Sequence, residues 1–94
     1  MVEVPFGEDG HIDLTAFGRV VDYLLGCGVS SMMFPGYASE FLKLSLEERA
    51  RLNDVLLSRT RTRTDVAAVL AVQDHATFLA VEHARRLVDA GADA

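Results

Sequence analysis

The sequence contains a single cysteine, Cys27, among its 94 residues. One cysteine excludes an internal disulfide and is typical of proteins that work in a reducing compartment. No apolar run approaches the roughly 18 residues that a membrane helix needs. The first residues also lack the basic and apolar segments of a signal peptide. The sequence therefore predicts a cytoplasmic protein with no membrane partner.

Basic residues are also scarce, since 9 Lys and Arg face 14 Asp and Glu and give a formal net charge of −5. Duplex nucleic acid is repelled by such a chain unless its basic residues gather on one face. They gather only in the run Arg59-Thr60-Arg61-Thr62-Arg63-Thr64. We interpret this run as a solvated loop between a helix and a strand, with a phosphate- or nucleic-acid-binding patch as the alternative. We expect no nucleic-acid partner.

Residues that bind metals or form imines are few. The three histidines, His11, His75 and His83, are too scattered for the spacing of a metal site, and we expect neither a metal nor a cofactor. Lys43 is the only lysine. It lies beside a helix start, a position that is usually hydrated, whereas a nucleophilic lysine is usually desolvated. We therefore do not expect Lys43 to form an imine.

The residues that are present follow an α/β pattern. Short apolar runs predict strands at 2–4, 29–34 and 65–72, and apolar residues at helical spacing predict helices at 14–25, 45–59 and 76–90. Strands that alternate with helices indicate βαβ units and a parallel sheet. Because the run at 65–72 is apolar at every position after the first, we expect that strand to be buried on both faces.

Capping residues set the expected helix ends. Asp13 is a plausible N-cap for the first helix, and Ser45 with Glu48 forms the capping-box pattern of the second. Gly26 and Gly28 are expected to end the first helix, and Gly91 the third, because glycine adopts the left-handed conformation that a helix end often needs. The segment 6–10, rich in Gly and Asp, predicts a turn.

Three strands are too few to close a sheet. Three parallel strands leave two open edges, whereas a closed (β/α)₈ barrel takes about 250 residues. We expect residues 1–94 to be a truncated piece of a larger fold. The alternative is a complete chain whose edges are covered by another chain.

Several short motifs follow one another along the chain. They are Pro5-Phe6 with Asp9-Gly10 and Ile12-Asp13, then Gly28-Val29, Gly36 to Phe41, Leu44 to Arg49, and Ala90 to Ala94. In this order they resemble motifs of the dihydrodipicolinate synthase/N-acetylneuraminate lyase family. The resemblance covers the whole chain in register.

The resemblance implies an α/β fold in which residues 1–94 form the first three βα units of a single TIM barrel domain. Family members are lyases or aldolases that form a Schiff base with pyruvate or a related keto acid, without a cofactor. The imine-forming lysine on the sixth strand and the relay tyrosine on the fifth would lie beyond Ala94. We therefore expect the 94 residues alone to be inactive and the full-length form to be a homo-oligomer. The alternative is a non-catalytic βα module that oligomerises through its open sheet edges.

The resemblance also implies a substrate-binding loop after the second predicted strand, at Gly36, Tyr37, Ala38, Ser39 and Glu40. Backbone amides of this loop would hold the substrate carboxylate. Tyr37 and Ala38 replace the family's two threonines, so Tyr37 is the predicted catalytic residue, with a space-filling role as the alternative. Ser39 replaces a glycine and is expected to give up a glycine-type backbone angle. These departures indicate a divergent member with another substrate.

Other candidate residues have simpler interpretations. Glu40 is expected to hold its loop through a structural hydrogen bond rather than to act as a site carboxylate. Asp74 and His75 lie at the mouth of the third predicted strand, where acid–base work is one interpretation and an N-cap role for Asp74 the favoured one. His83 lies on an apolar helix face and is expected to be a packed histidine.

Overall fold

The computed structural model describes residues 1–94 and contains three helices and two strands, joined by turns. In chain order the elements are α1 Leu14–Gly26, β1 Ser31–Phe34, the 3₁₀ turns Tyr37–Ser39 and Phe41–Lys43, α2 Leu46–Thr60, β2 Ala67–Leu70, and α3 Thr77–Ala90. The predicted α/β order is confirmed, and the two 3₁₀ turns were not predicted. None of the helices is both long and apolar enough to span a bilayer.

The two strands pair in parallel, from Ser31 opposite Ala67 to Phe34 opposite Leu70. Backbone hydrogen bonds continue the sheet on both sides. The Val2 amide donates to the Met33 carbonyl at 2.9 Å, and the Asp93 amide donates to the Ala68 carbonyl at 3.0 Å. Residues 2–4 therefore do not form the predicted strand, and a single backbone hydrogen bond joins them to β1.

The starts of α1 and α2 and the end of α3 follow the predicted caps. The Asp13 carboxylate accepts from the Ala16 amide at 2.9 Å. In the capping box of α2, the Ser45 hydroxyl accepts from the Glu48 amide at 3.1 Å and the Glu48 carboxylate accepts from the Ser45 amide at 2.8 Å. Gly91 ends α3 with a left-handed φ of 99°. Local capping thus sets these three helix ends.

The Glu48 carboxyl group gives the capping box a pH dependence. Hydrogen bonds from the backbone and side chain of Ser45 lower the pKa of Glu48 below its ordinary value of 4.5. A lowered folded-state pKa adds stability above the unfolded-state pKa and loses it as the pH falls through the folded-state value. We expect Glu48→Gln to keep the cap but to lose this contribution. Urea unfolding of the parent and of Glu48→Gln between pH 7 and pH 3 measures this contribution. The difference between their free energies of unfolding should shrink below about pH 4.5.

The core lies between one face of the sheet and helices α1 and α2. Met32 and Phe34 of β1 and Ala68 and Leu70 of β2 point into it. The ring of Phe17 packs on that of Phe34, with centroids 5.3 Å apart. Helix α3 contributes no fully buried residue.

Two sequence expectations about burial and capping are wrong. β2 is fully buried only at alternate residues, Ala68 and Leu70, because helices cover one face of the sheet and leave Ala67 and Val69 half-buried. Asp74 is not the N-cap of α3, since Ala76 holds that position without a side-chain cap. The Asp74 carboxylate, two residues before the N-cap, instead accepts from the Ala76 amide at 3.1 Å.

Candidate functional site

The candidate site lies at the carboxyl ends of the two strands. Because β1 and β2 run parallel, the segments that follow them, 35–45 and 71–76, emerge at the same edge of the sheet. The Ala71 amide joins the two by donating to the Phe34 carbonyl at 2.9 Å. Ligand sites of parallel α/β folds form at this edge. We call 35–45 the first loop and 71–76 the second loop.

Ser39 anchors the first loop. Its side chain is fully buried, and its hydroxyl donates to the Val2 carbonyl and accepts from the Gly36 amide at 3.1 Å. The residue ties the loop to the N-terminal segment. From the sequence, Ser39 was expected only to bind substrate through its backbone, and the contact of its hydroxyl was not predicted because Val2 is remote in the chain.

The left-handed backbone angle of the first loop lies at Glu40, not at Ser39. Glu40 has φ 53° and is the only non-glycine residue with positive φ. Ser39 itself has no positive φ, in agreement with the expectation that it gives up a glycine-type angle. The Glu40 carboxylate accepts from the Lys43 ammonium at 3.0 Å, and both side chains are largely exposed. This pair lies within the loop and agrees with a structural role for Glu40.

Tyr37 and Ala38 form the free tip of the first loop. The Tyr37 side chain is 85% exposed. The Ala38 amide has a weak partner, the Met1 sulfur at 3.2 Å. Thioether sulfur is a poor acceptor compared with a carboxylate. The amides of Gly36 and Ser39, by contrast, already bond within the loop.

Arg49 of α2 holds the second loop. Its guanidinium donates to the Gln73 carbonyl at 3.1 Å and to the Ala71 carbonyl at 3.5 Å. Burial lowers the pKa of Arg49 below its ordinary value, and the nearby Asp74 charge opposes that shift. Arg49 ends one of the sequence motifs, but its partners lie 22 and 24 residues away and were not predictable from the sequence.

Asp74 and His83 approach each other behind the second loop. The Asp74 carboxylate lies 3.7 Å from Nε2 of His83, and both side chains are less than a fifth exposed. The hydrogen bond from the Ala76 amide is the main cause that lowers the pKa of Asp74, and His75 and His83 lower it further. His83 is half-buried, as expected, but beside a carboxylate rather than on a purely apolar face. His75, which follows Asp74 in the sequence, is exposed.

Each arginine of the basic run has a partner within the chain. Arg59 donates to the Asp22 carboxylate at 2.7 Å, Arg61 to the Ala90 carbonyl at 3.0 Å, and Arg63 to Asp65 at 3.0 Å. Hydrogen bonding to Asp65 raises the pKa of Arg63. The Arg59 and Arg61 contacts connect the end of α2 to α1 and α3, and the Arg63 contact stays within the loop that leads to β2. The run thus ends α2 and enters the loop between that helix and β2, where the sequence predicted a solvated loop.

The described residues can bind a carboxylate and position a phenol, but they lack a nucleophile at the site. The Ala38 amide is an available donor and the Tyr37 hydroxyl can donate or accept. The only lysine, Lys43, is exposed and ion-paired with Glu40, whereas an imine-forming lysine is usually desolvated. The first loop thus presents one available backbone donor and one exposed phenol, without a desolvated lysine.

Comparison with protein families identifies relatives over the full length of the chain. The model described as "Dihydrodipicolinate synthetase family" matches residues 1–94. A 4-hydroxy-tetrahydrodipicolinate synthase of Corynebacterium aurimucosum is 33% identical over 95% of this chain and 29% of that protein. An N-acetylneuraminate lyase of Rhizobium meliloti is 31% identical over 87% of this chain and 28% of that protein. The chain thus spans less than a third of the length of these curated relatives.

Solved structures agree. A putative dihydrodipicolinate synthetase of Pseudomonas aeruginosa superposes with a TM-score of 0.91 at 30% identity, over 98% of this chain and 31% of that one. YagE, a prophage protein of the dihydrodipicolinic acid synthase family from E. coli K12 solved with pyruvate, gives 0.86 at 26% identity, over 98% and 30%. The predicted partial TIM barrel and the resemblance drawn from the motifs are both confirmed.

Proposed function

The chain belongs to the dihydrodipicolinate synthetase family, and from this membership we propose that it is the N-terminal part of a single-domain Schiff-base lyase of the aldolase type. In its full-length form the enzyme acts on pyruvate or a related keto acid. The main structural support is the Ala38 amide beyond the carboxyl end of β1. Its partner is a thioether, the Met1 sulfur. A substrate carboxylate is a far better acceptor for that amide than the Met1 sulfur.

The first loop provides the substrate site in this proposal. Gly36, Tyr37, Ala38, Ser39 and Glu40 form it, with different tasks. The Ala38 amide binds the carboxylate, and Ser39 fixes the loop through its buried hydroxyl. The exposed Tyr37 hydroxyl lies at the tip, where it can transfer a proton to or from the bound keto acid. Because Tyr37 and Ala38 replace two threonines, we propose that the second substrate differs from that of the synthases.

The covalent step needs a lysine from outside residues 1–94. Its neutral amine adds to the keto carbon, and the carbonyl oxygen leaves as water to give the imine. Lys43 is unsuited, because it is exposed and paired with Glu40 at 3.0 Å. No cofactor is required, since the protonated imine itself withdraws electrons from the neighbouring carbon.

We also propose that the full-length enzyme is a cytoplasmic homo-oligomer. Large apolar side chains are exposed around the first loop and the start of α3, at Tyr37, Leu42, Leu46 and Phe78. Exposed apolar side chains of this size are available for protein–protein contacts. A free, exposed Cys27 is compatible with a reducing compartment.

Borohydride trapping on the protein expressed from its complete gene tests the function. We expect reduction in the presence of pyruvate to add one keto-acid residue to one lysine, which peptide mass spectrometry would locate outside residues 1–94. Absence of any adduct with pyruvate and a panel of 2-keto acids would exclude the Schiff-base mechanism. A non-catalytic module would then be the better interpretation.

Tyr37→Phe provides the matched variant, because it removes only the phenol oxygen of an exposed side chain. We expect Tyr37→Phe still to form the imine that borohydride traps. In the absence of borohydride, its turnover of the same keto acid should fall. Tyr23→Phe, which alters the other exposed tyrosine, should change neither. Equal turnover in both variants would remove Tyr37 from the proton-transfer role and leave the lyase assignment intact.

A further inference from the structure

The side chain of Met1 lies against the first loop, at the backbone of Gly36 and Ala38. Its Sδ accepts a hydrogen bond from the Ala38 amide at 3.2 Å. Position 36 has no room for a side chain, because a Cβ there would overlap with Sδ and Cε of Met1. Met1 therefore covers the amide to which the proposed function assigns the substrate carboxylate.

The next residue, Val2, fixes the N-terminal segment beside the first loop. Its side chain is fully buried, and its amide donates to the Met33 carbonyl at 2.9 Å. Its carbonyl accepts from the Ser39 hydroxyl. A methionine side chain is flexible, with three rotatable bonds. The Met1 side chain can therefore leave the Ala38 amide while Val2 keeps the backbone in place.

The oxidation state of the Met1 sulfur decides how strongly it competes for this amide. Thioether sulfur is a weak acceptor, and a carboxylate makes a stronger, charge-assisted hydrogen bond. A keto acid is thus expected to displace the reduced side chain. Oxidation gives a polar sulfoxide, whose oxygen carries partial negative charge and accepts more strongly than the thioether.

Met1 is the most exposed of the three methionines. Its exposed fraction is 56%, against 37% for Met33 and 2% for Met32. Hydrogen peroxide oxidises an accessible thioether by transferring one oxygen atom to the sulfur. The O–O bond breaks, the sulfur loses two electrons in forming the S–O bond, and the peroxide leaves as water. Met1 is therefore the expected site of oxidation within residues 1–94.

We propose that the Met1 side chain is a displaceable cap on the Ala38 amide, and that its oxidation by hydrogen peroxide closes the substrate site. In the reduced protein, the keto-acid carboxylate replaces the thioether. In the oxidised protein, the sulfoxide oxygen accepts from the Ala38 amide and competes with the carboxylate. This inference rests on the proposed function, which assigns the carboxylate to that amide.

Amide NMR of the protein expressed from its complete gene, with pyruvate as the probe, follows Ala38 directly. We expect pyruvate to shift the Ala38 signal of the reduced protein along a saturating curve. After peroxide treatment, the Kd for pyruvate should rise roughly threefold to tenfold, the range that the loss of one hydrogen bond produces. Treatment with methionine sulfoxide reductases, which reverse this oxidation, should restore the original Kd.

Met1→Leu is the matched variant, because it keeps a side chain of similar size that peroxide does not oxidise. It is prepared as a fusion that is cleaved ahead of residue 1. Peroxide should leave its Kd for pyruvate unchanged, whereas Met33→Leu should respond to peroxide like the parent. An equal rise of Kd in Met1→Leu and in the parent would overturn the proposal, since the oxidised residue would then lie elsewhere.

The Ala38 signal also separates this inference from the proposed function. If pyruvate leaves the signal unshifted and borohydride traps no imine, the proposed function fails, and the closing of a substrate site fails with it. Peroxide should still shift the Ala38 signal in the parent and not in Met1→Leu, because the cap itself does not depend on lyase chemistry. An Ala38 signal that peroxide leaves unchanged in the parent would show that Met1 does not cap this amide.

Discussion

Replacement of Phe17 by alanine is expected to lower the free energy of unfolding by about 3–5 kcal/mol, the range for buried phenylalanine truncations. Phe17 is fully buried on the inner face of α1. Its ring packs against that of Phe34 at a centroid distance of 5.3 Å. The substitution removes this contact and leaves a cavity between α1 and the end of β1.

Urea unfolding followed by circular dichroism measures the effect of Phe17→Ala. Tyr23→Ala is the matched control, because it truncates an aromatic side chain on the exposed face of the same helix. Its effect should stay within about 0.5 kcal/mol. Comparable losses in the two variants would mean that α1 does not pack on β1 through Phe17.

Ser39→Ala is expected to destabilise the fold by about 1–3 kcal/mol, since loss of a buried hydrogen-bonding partner leaves polar groups unsatisfied. The substitution removes the acceptor of the Gly36 amide and the donor to the Val2 carbonyl. Water cannot replace the hydroxyl easily, because the side chain is fully buried. The first loop should therefore loosen from the N-terminal segment.

Hydrogen exchange separates this local effect from a general loss of stability. We expect the Gly36 amide to exchange faster in Ser39→Ala, while amides in the middle of α1 change less, because local openings cost less than global unfolding. Ser58→Ala removes an exposed hydroxyl that donates to the Val55 carbonyl, and it should leave the loop unchanged. Unaltered Gly36 exchange in Ser39→Ala would refute the anchoring role of the hydroxyl.

Loosening of the first loop is also expected to affect the proposed substrate site. The loop carries Tyr37 and the Ala38 amide, and Ser39 follows them directly. Ser39→Ala is therefore expected to raise KM for the keto acid in the full-length enzyme as well as to lower stability. Accurate placement of binding groups depends on the residues that support them.

The sequence by itself determined the features that depend on local interactions. The starts of α1 and α2 follow from Asp13 and from Ser45 with Glu48, whose bonds span three residues. The left-handed angle that ends α3 follows from Gly91. The alternation of strands and helices, and the ordered motifs from Pro5 to Ala94, sufficed for the α/β class and the family. These features can be predicted from the sequence because the residues that interact are close together in the chain.

The tertiary structure alone decided which remote groups meet. Ser39 bonds to Val2 across 37 residues, and Arg49 reaches the second loop across 24. Met1 reaches the Ala38 amide across 37 residues, and β2 is fully buried at alternate residues because helices cover one face of the sheet. These outcomes depend on how the helices pack on the sheet. Periodicity and capping describe each segment separately, so they carry no information on that packing.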